Sequence, residues 1–376
     1  MRDTVDLKKN NIRKCTALIW NCDSVTKPQL AGMSELTPVT SHKFINELAE
    51  IGFVVEAGFR SSPVGKKALT YEVNPKFGCF VAVYIYDGKI TSGLFDFRLR
   101  CIFTETDSFP SEYSEQAFAF VCGKVVRAME YSHGPVLGIG LTLSGQIDFS
   151  EGVVTHCTDM EGWNNIPLKA KMENRFAIRT VVENDVNGCA AALKWKNPPS
   201  LSSVLICISK GVGTGVVIDG RVYRGKNSFA GELGHVTVAI SGKLCKCGNR
   251  GCIEEFISDC GILEESGCAN MEEAIDAARE NDPGITEILA NRCEYISVLL
   301  DYVVKSYDPQ TIYLSSSWLG ELPFFFGKMS DMIFSKSNWL KRDKLSIVLL
   351  DQREPLLSLE GAAYSIFDYY MEVWNE

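Results

Sequence analysis

The stretch from Gly231 to Glu254, GELGHVTVAISGKLCKCGNRGCIE, constrains this chain more than any other, because it sets three cysteines within 8 residues of a glycine-broken loop. The spacing C-x-C-G-x-x-G-C lets the thiolates of Cys245, Cys247 and Cys252 converge while Gly248 and Gly251 take the tight backbone turns. His235, ten residues ahead of the first thiol, can supply a fourth ligand. Three sulfurs and an imidazole close a tetrahedron and leave no position for water, so the expectation is one structural zinc per chain rather than a catalytic one. The plain alternative is a set of buried free thiols, since cysteine is among the most buried residue types. A disulfide is disfavoured because no charged-then-apolar leader opens the sequence, and a cytoplasmic location is expected. The other 11 of the 14 cysteines are scattered and read as core fillers.

Length and charge narrow the classes further. A chain of 376 residues with 46% hydrophobic content is expected to fill two or three domain cores. No apolar run approaches the roughly 18 residues that a membrane span requires. The net charge of −9 argues against a protein that coats nucleic acid along its whole surface. The charge is uneven, however: residues 1–75 carry 10 Lys+Arg against 8 Asp+Glu, and the remainder carries 28 against 39. A relatively basic head precedes an acidic body.

The head, residues 1–75, reads as a winged helix-turn-helix. TKPQLAGMS and TPVTSHKFINELAEIGF predict two helices, with Thr26 and Thr37 as N-caps and a proline in each first turn. Phe44, Leu48 and Ile51 fall at i, i+4 and i+7 and are expected to form the buried stripe, which turns Thr40, Ser41, Lys43 and Asn46 to solvent. Short polar side chains there, with Thr37, suit base edges in a major groove, and Lys43 suits phosphate. Arg60, Lys66 and Lys67 in the wing, which ends near Asn74, are expected to add backbone contacts, whereas His42 is read as a bystander. A small cap that binds nothing is the bland alternative.

After Pro75 the pattern changes to strands. Asp87-Gly88 between FVAVYIY and KITSGLFDF, and Asp219-Gly220 between VVI and RVY, are two-residue hairpin signals. Long helical stretches follow each, at 114–131 and 286–307. KNPPS at 196–200 is expected to cross between two α/β lobes, 76–195 and 196–355, with the amphipathic segment from 356 onward returning to the first.

GELGH followed by CKCGNRGCIE resembles the signature of the ROK family, which contains bacterial sugar kinases and sugar-responsive repressors. ENDVNGCAAAL at 183–193 is similar to its Asn-Asp segment, VVIDGRVYRG at 216–225 to its hairpin, and LEGAA at 359–363 to its closing helix. The resemblance implies a two-lobed actin/hexokinase-like, ribonuclease H-like body with a ligand cleft between the lobes. It further implies that Asn184, Asp185, Glu232, His235 and Glu254 line a sugar pocket. The chemistry agrees, since a ring of hydroxyls needs donors and acceptors, and each carboxylate accepts several such bonds. His235 would meet zinc with one ring nitrogen and sugar with the other. The bland readings are an N-cap for Asp185 and solvated surface charge for Glu232 and Glu254.

A kinase of the family would use Asp185 as base and glycine-rich backbone to cradle phosphates. Here Tyr84, Tyr86, Asp87 and Gly88 stand where an Asp-x-Gly-Gly-Thr turn is usual, SKGVGTG at 209–215 departs from a second phosphate loop, and SSSW at 315–318 replaces a Gly-Gly pair. The remaining Gly211, Gly213 and Gly215 have a sufficient bland explanation in hairpin packing. GLTLSGQID at 140–148 departs from a Pro-Gly near the sugar and leaves the sugar's identity open. The resulting expectation is a dimeric, sugar-responsive repressor of operator DNA without catalysis. An ATP-dependent sugar kinase with an added head and a sugar sensor acting through a partner protein are the alternatives.

Overall fold

A computed structural model describes residues 11–12, 14–60, 67–86, 88–110, 112–157, 160–197, 201–336, 344–350 and 356–373. Lys66, Asp87 and Pro198 to Ser200, each carrying an expectation above, lie outside the described residues. The described chain forms two compact units: Met1–Leu141 with Leu168–Val182 and Ala362–Glu376, and Thr142–Pro167 with Glu183–Gly361.

The first unit opens with helix α1 over 14–20, then β1 (Val25–Thr26), α2 (Lys27–Ser34), α3 (Pro38–Glu50), β2 (Val54–Arg60) and β3 (Ala68–Val73). Thr26 starts α2 with a capping box: its hydroxyl accepts from the Gln29 N–H, and Gln29 Oε1 accepts from the Thr26 N–H at 2.9 Å. Thr37 caps α3 by accepting from the Thr40 N–H. β2 and β3 form an antiparallel ribbon that β1 extends, in the order β1-β3-β2. Two capped helices followed by a ribbon give the element order expected of a winged helix-turn-helix.

Two details of α3 differ from the helical-wheel reading. Ile51, the C-cap of α3, is 54% exposed, past the last residue of the helix that packs inward, and Ile45 and Phe53 are fully buried instead. Ser41, expected at the DNA face, is fully buried, its hydroxyl 3.1 Å from that of Ser34 and 3.2 Å from the Thr37 carbonyl oxygen. A small hydroxyl can enter the α2–α3 contact when both its partners are polar, so it reads no base.

Beyond the head lie β4 (Cys79–Tyr86), β5 (Lys89–Asp96), β6 (Cys101–Ser108), α4 (Glu115–Met129) and β7 (Val136–Leu143). Next come β8 (Gln146–Asp148), β9 (Val153–His156), α5 (Leu168–Phe176), β10 (Thr180–Asn184) and α6 (Asp185–Lys196). A five-stranded sheet runs in the order β10-β7-β4-β5-β6, and β8 pairs with β9. Within the first unit, Phe53, Phe80, Phe97 and Phe367 are fully buried around Trp20, with the Trp20 and Phe367 rings 4.2 Å apart. One aromatic core thereby joins α1, β4 and the last helix, α12 (Leu356–Val373).

The second unit continues with β11 (Ser203–Ile208), β12 (Val212–Ile218), β13 (Arg221–Val222), a 3₁₀ turn at Leu233–His235, α7 (Glu254–Ile257), α8 (Asp259–Ser266) and α9 (Met271–Arg279). α10 (Pro283–Tyr307), β14 (Thr311–Ser316), α11 (Pro323–Lys336) and β15 (Ser346–Leu349) complete it. Its sheet order is β13-β12-β11-β14-β15, with β11 antiparallel to β12 and parallel to β14. Asp219 and Gly220 both take positive φ, 52° and 70°, as the Asp-Gly hairpin signal requires. Ile206, Ile312 and Leu314 of the strands pack with Ile296, Leu299 and Val303 of α10 in a fully buried core.

α6 lies unusually close to its neighbours. A Cβ on Gly213 would fall 2.5 Å from Val186 Cγ2, and one on Gly215 would fall 2.7 Å from the Val186 carbonyl oxygen. A Cβ on Gly361 would come within 2.5 Å of the Gly188 carbonyl carbon, which is backbone and cannot give way by rotation. Gly361→Ala is therefore expected to destabilise by about 1–3 kcal/mol. Gly123→Ala, at an exposed position inside α4 with nothing within 4 Å of the added methyl, is expected to stabilise by about 0.5–1 kcal/mol. Urea unfolding of both variants checks the pair, and equal midpoints would contradict the close helix crossing.

Candidate metal and ligand site

GELGH is written by β12. A Cβ on Gly231 would fall 2.4 Å from the Thr214 carbonyl oxygen and one on Gly234 would fall 2.3 Å from that of Val212, so the segment must lie flat on the strand. Gly231 also takes φ of 92°. The two glycines fix where Glu232 and His235 project. The thiol loop follows the same logic: Gly251, at φ of 64°, sits where a Cβ would fall 1.7 Å from the Ala239 carbonyl oxygen. The Cys245 N–H donates to the Asn249 carbonyl at 2.8 Å, and the Gly251 N–H donates to that of Lys243 at 2.8 Å.

All four expected metal ligands come together. The ligand atoms of His235, Cys245, Cys247 and Cys252 lie within 4.8 Å of one another. Cys247 Sγ is 3.6 Å from Cys252 Sγ, and Cys245 Sγ is 3.6 Å from His235 Nδ1. A tetrahedral zinc with Zn–S of about 2.3 Å has ligand-to-ligand edges of roughly 3.8 Å, whereas a disulfide would require about 2.05 Å. All 14 cysteines are free thiols. Burial pushes the thiols of Cys245 and Cys252 up, so it takes a cation to hold them as thiolates. The donor set and spacing fit a closed metal site.

The expected ligand residues all belong to the second unit. Asn184 caps α6: its Oδ1 accepts the N–H groups of Val186 and Asn187 at 3.0 and 3.1 Å, and its Nδ2 donates to the Gly145 carbonyl at 3.1 Å. The cap is therefore Asn184 and not Asp185, which stands at the first position of α6, at the positive end of its dipole. Glu254 is anchored rather than solvated, since its Oε2 accepts the Val212 N–H at 2.8 Å. Glu232 is exposed, its side chain 42% accessible, with Oε2 4.0 Å from His235 Nε2. Desolvation raises its pKa, His235 opposes the shift and the Glu254 carboxylate adds to it. His235 thus turns Nδ1 to the thiols and Nε2 toward Glu232.

Two features escaped the sequence reading. Glu183, 1% exposed, accepts from Arg224 Nε at 2.7 Å and Nη2 at 2.6 Å, while its other oxygen accepts the Asn184 N–H at 2.9 Å. The Arg224 guanidinium stacks 3.7 Å from the Phe149 ring centroid. Nothing in local pattern pairs residues 41 positions apart. Asp259 is the other: its N–H donates to the Ser209 carbonyl at 2.8 Å, and its carboxylate accepts from Ser317. Burial raises the Asp259 pKa, with Ser317 and Lys210 opposing. The lysine of the β11–β12 turn therefore already faces a carboxylate.

At the turn between β4 and β5, the Tyr84 and Tyr86 rings stack with centroids 4.3 Å apart and planes at 9°. In the head, Thr37, Lys43, Asn46, Arg60 and Lys67 are exposed and Thr40 is partly so. Lys27 joins them, donating to Asn46 Oδ1 at 2.7 Å.

The ROK family model matches residues 81–340, and the chain belongs to the ROK family. Its mixed α/β body has the fold of the family's hexokinases. The chain is 25% identical over 99% of its length to the xylose repressor of Bacillus subtilis strain 168, covering 98% of that protein. It superimposes with a TM-score of 0.84 on a ROK family transcriptional regulator described as a homolog of the E. coli MLC protein, at 20% identity and 98% coverage of both chains. A ROK hexokinase from Thermus thermophilus matches with a TM-score of 0.70 and 24% identity, covering 79% of this chain and 100% of the hexokinase. No helix among the described residues is long and apolar enough to cross a membrane.

Arg224→Met should leave the Glu183 carboxylate buried and unpaired and cost about 3–5 kcal/mol near pH 7. Burial already raises the Glu183 pKa, with Arg224 opposing, and loss of Arg224 should raise it further, so the folded variant would hold the Glu183 proton well after the unfolded chain has released it near pH ~4.3. Stability of the variant therefore falls as pH rises through that value, and the deficit against wild type should shrink at pH ~4. Urea midpoints at the two pH values measure this, and a deficit independent of pH would refute an ionised, unpaired Glu183 as its cause.

Proposed function

We propose that this chain is a sugar-responsive transcriptional repressor that works as a homodimer. The N-terminal helices read operator DNA, each head taking one half-site. The sugar is held by Asp185, Glu232, His235 and Glu254, with Asn184 fixing the start of α6 rather than binding hydroxyls itself. A structural zinc on His235, Cys245, Cys247 and Cys252 orients His235 and carries the loop that leads into Glu254. The observation that carries this reading is the joining, in one chain, of a capped two-helix head with a polar face and a Cys3His cluster whose histidine also approaches Glu232. The full-length similarity to a protein named xylose repressor supports a neutral monosaccharide as effector.

We further infer that the chain does not phosphorylate its sugar. Stacked Tyr84 and Tyr86 end β4 just ahead of the segment where a kinase of the family offers backbone N–H groups. Lys210 in the second turn acts on the Asp259 carboxyl, where phosphate would need that cation free of an anion. Gly213 and Gly215 are accounted for by the approach of α6. The kinase reading retains one supporting observation, Asp185 at the start of α6, the position of the family's base.

Fluorescence anisotropy with the duplex upstream of the chain's own gene, with and without xylose, glucose and N-acetylglucosamine, tests the regulator. One sugar should change the affinity at least about tenfold, a coupling of ~1.4 kcal/mol. Asp185→Asn should abolish the response while DNA binding persists. No sequence-selective binding in any state would defeat the proposal, and steady ADP release with a sugar and ATP would revive the kinase. Metal analysis should find about one zinc per chain, and Cys247→Ser should lose it together with the sugar response. Metal-free protein that still answers to sugar would remove zinc from the account.

A further inference from the structure

α3 presents an apolar group that folding does not explain. Val39, Lys43, Asn46 and Glu50 form one exposed stripe opposite the buried Phe44, Ile45 and Leu48. Val39 sits in the first helical turn, directly after Pro38, and is 79% exposed. A β-branched side chain is a poor helix former, and at this exposure it contributes almost no burial, so both terms that usually retain valine in a helix are missing. It lies instead in a shallow surface groove with His42, Lys43, Asn46, Glu47 and Glu50.

The surroundings say what chemistry the isopropyl group can meet. The Thr37 and Thr40 hydroxyls engage each other at 2.8 Å, and the Thr37 hydroxyl also caps the helix. Asn46 Oδ1 accepts from Lys27 at 2.7 Å. The polar side chains nearest Val39 are therefore partly committed within the head, which leaves the valine as the uncommitted group at the leading end of the helix. Among base edges in a major groove, only thymine offers an apolar partner, its C5 methyl.

We infer that Val39 selects a thymine in each operator half-site by packing its isopropyl group on the C5 methyl. The inference rests on the DNA-reading proposed above and adds a residue that the polar-side-chain argument passed over. Lys43 and Lys27 would hold the register on phosphate, and Val39 would supply discrimination without a hydrogen bond.

The test starts by selecting binders from a random-sequence duplex pool with the full-length chain, then replaces each thymine of the enriched site by uracil, one at a time. Uracil removes the methyl and leaves pairing and groove hydrogen bonds intact. One position per half-site should weaken wild-type binding about three- to tenfold. Val39→Ala should lower affinity for the thymine site and bind thymine and uracil forms equally, whereas Val39→Thr, which keeps one methyl, should retain part of the preference. Circular dichroism of each variant, expected unchanged at so exposed a position, separates misfolding from lost contact. Selective binding with no uracil-sensitive position, or an undiminished uracil penalty in Val39→Ala, would overturn the inference while leaving the regulator reading intact. An absence of any enriched sequence would overturn both.

Discussion

The candidate site depends on how closely other backbone approaches β12. Gly213 and Gly215 admit α6 on one side, and on the other Gly231 and Gly234 lay their segment against the carbonyls of Thr214 and Val212. Val212 also donates its N–H to Glu254. One strand thus sets the start of α6, the Glu232 and His235 turn and the first carboxylate of α7. None of these distances is held by a large apolar side chain, because there is no room for one. Glycine costs conformational entropy on folding, and several within one neighbourhood are tolerated only where close approach is required. That requirement accounts for these glycines: they hold the walls of the candidate site, whichever ligand it takes.

On the reading proposed above, charge is what would separate a binding site from a catalytic one within the same fold. Asp185, Glu232, Glu254 and Glu183 all lie in the second unit, and two of its cations act on carboxylates there. Arg224 is spent on Glu183, and Lys210 faces Asp259. Hydroxyl groups tolerate such a field, since they donate to carboxylates at no charge cost. A triphosphate does not, unless glycine-rich turns and free cations offset its charge. On the repressor reading proposed above, Tyr84, Tyr86 and the segment Ser315 to Trp318 would need to offer nothing to a nucleotide. Trp318 is fully buried in the second unit's core.

How much of this was legible in the sequence follows from the range of each interaction. Caps, hairpins and the metal quartet were readable because their determinants lie within a few residues of one another, or in His235's case within ten. Helical periodicity placed Phe44 and Leu48 correctly and failed for Ser41 and Ile51, one buried through a hydroxyl pair with Ser34 and the other released by the end of the helix. The Glu183–Arg224 pair and the Asp259–Lys210–Ser317 group were invisible, since they join residues brought together by β-pairing and helix packing. The glycines were seen but assigned to hairpin turns, whereas their main demand comes from α6 and the Gly231 segment pressing on the strand.

The metal loop shows why a thiol cluster stands beside this site. From Lys243 to Arg250 every side chain except that of Cys245 is exposed, so the loop buries almost nothing apolar. A segment of that kind has no hydrophobic means of holding its shape, and the few backbone hydrogen bonds across it are each worth only about 1 kcal/mol net. Metal ligation stabilises on a larger scale and acts at a point, fixing atoms rather than surfaces. Its effect on His235 follows from the ring's geometry. With Nδ1 turned to the thiols, Nε2 is directed toward Glu232, and the ring cannot rotate without breaking the first arrangement. A loop too polar to pack can in this way set the orientation of a side chain in a site that needs donors and acceptors at fixed places. On the reading proposed above, the thiols and the carboxylates would act as one unit, and a bound metal would lend its rigidity to the sugar site.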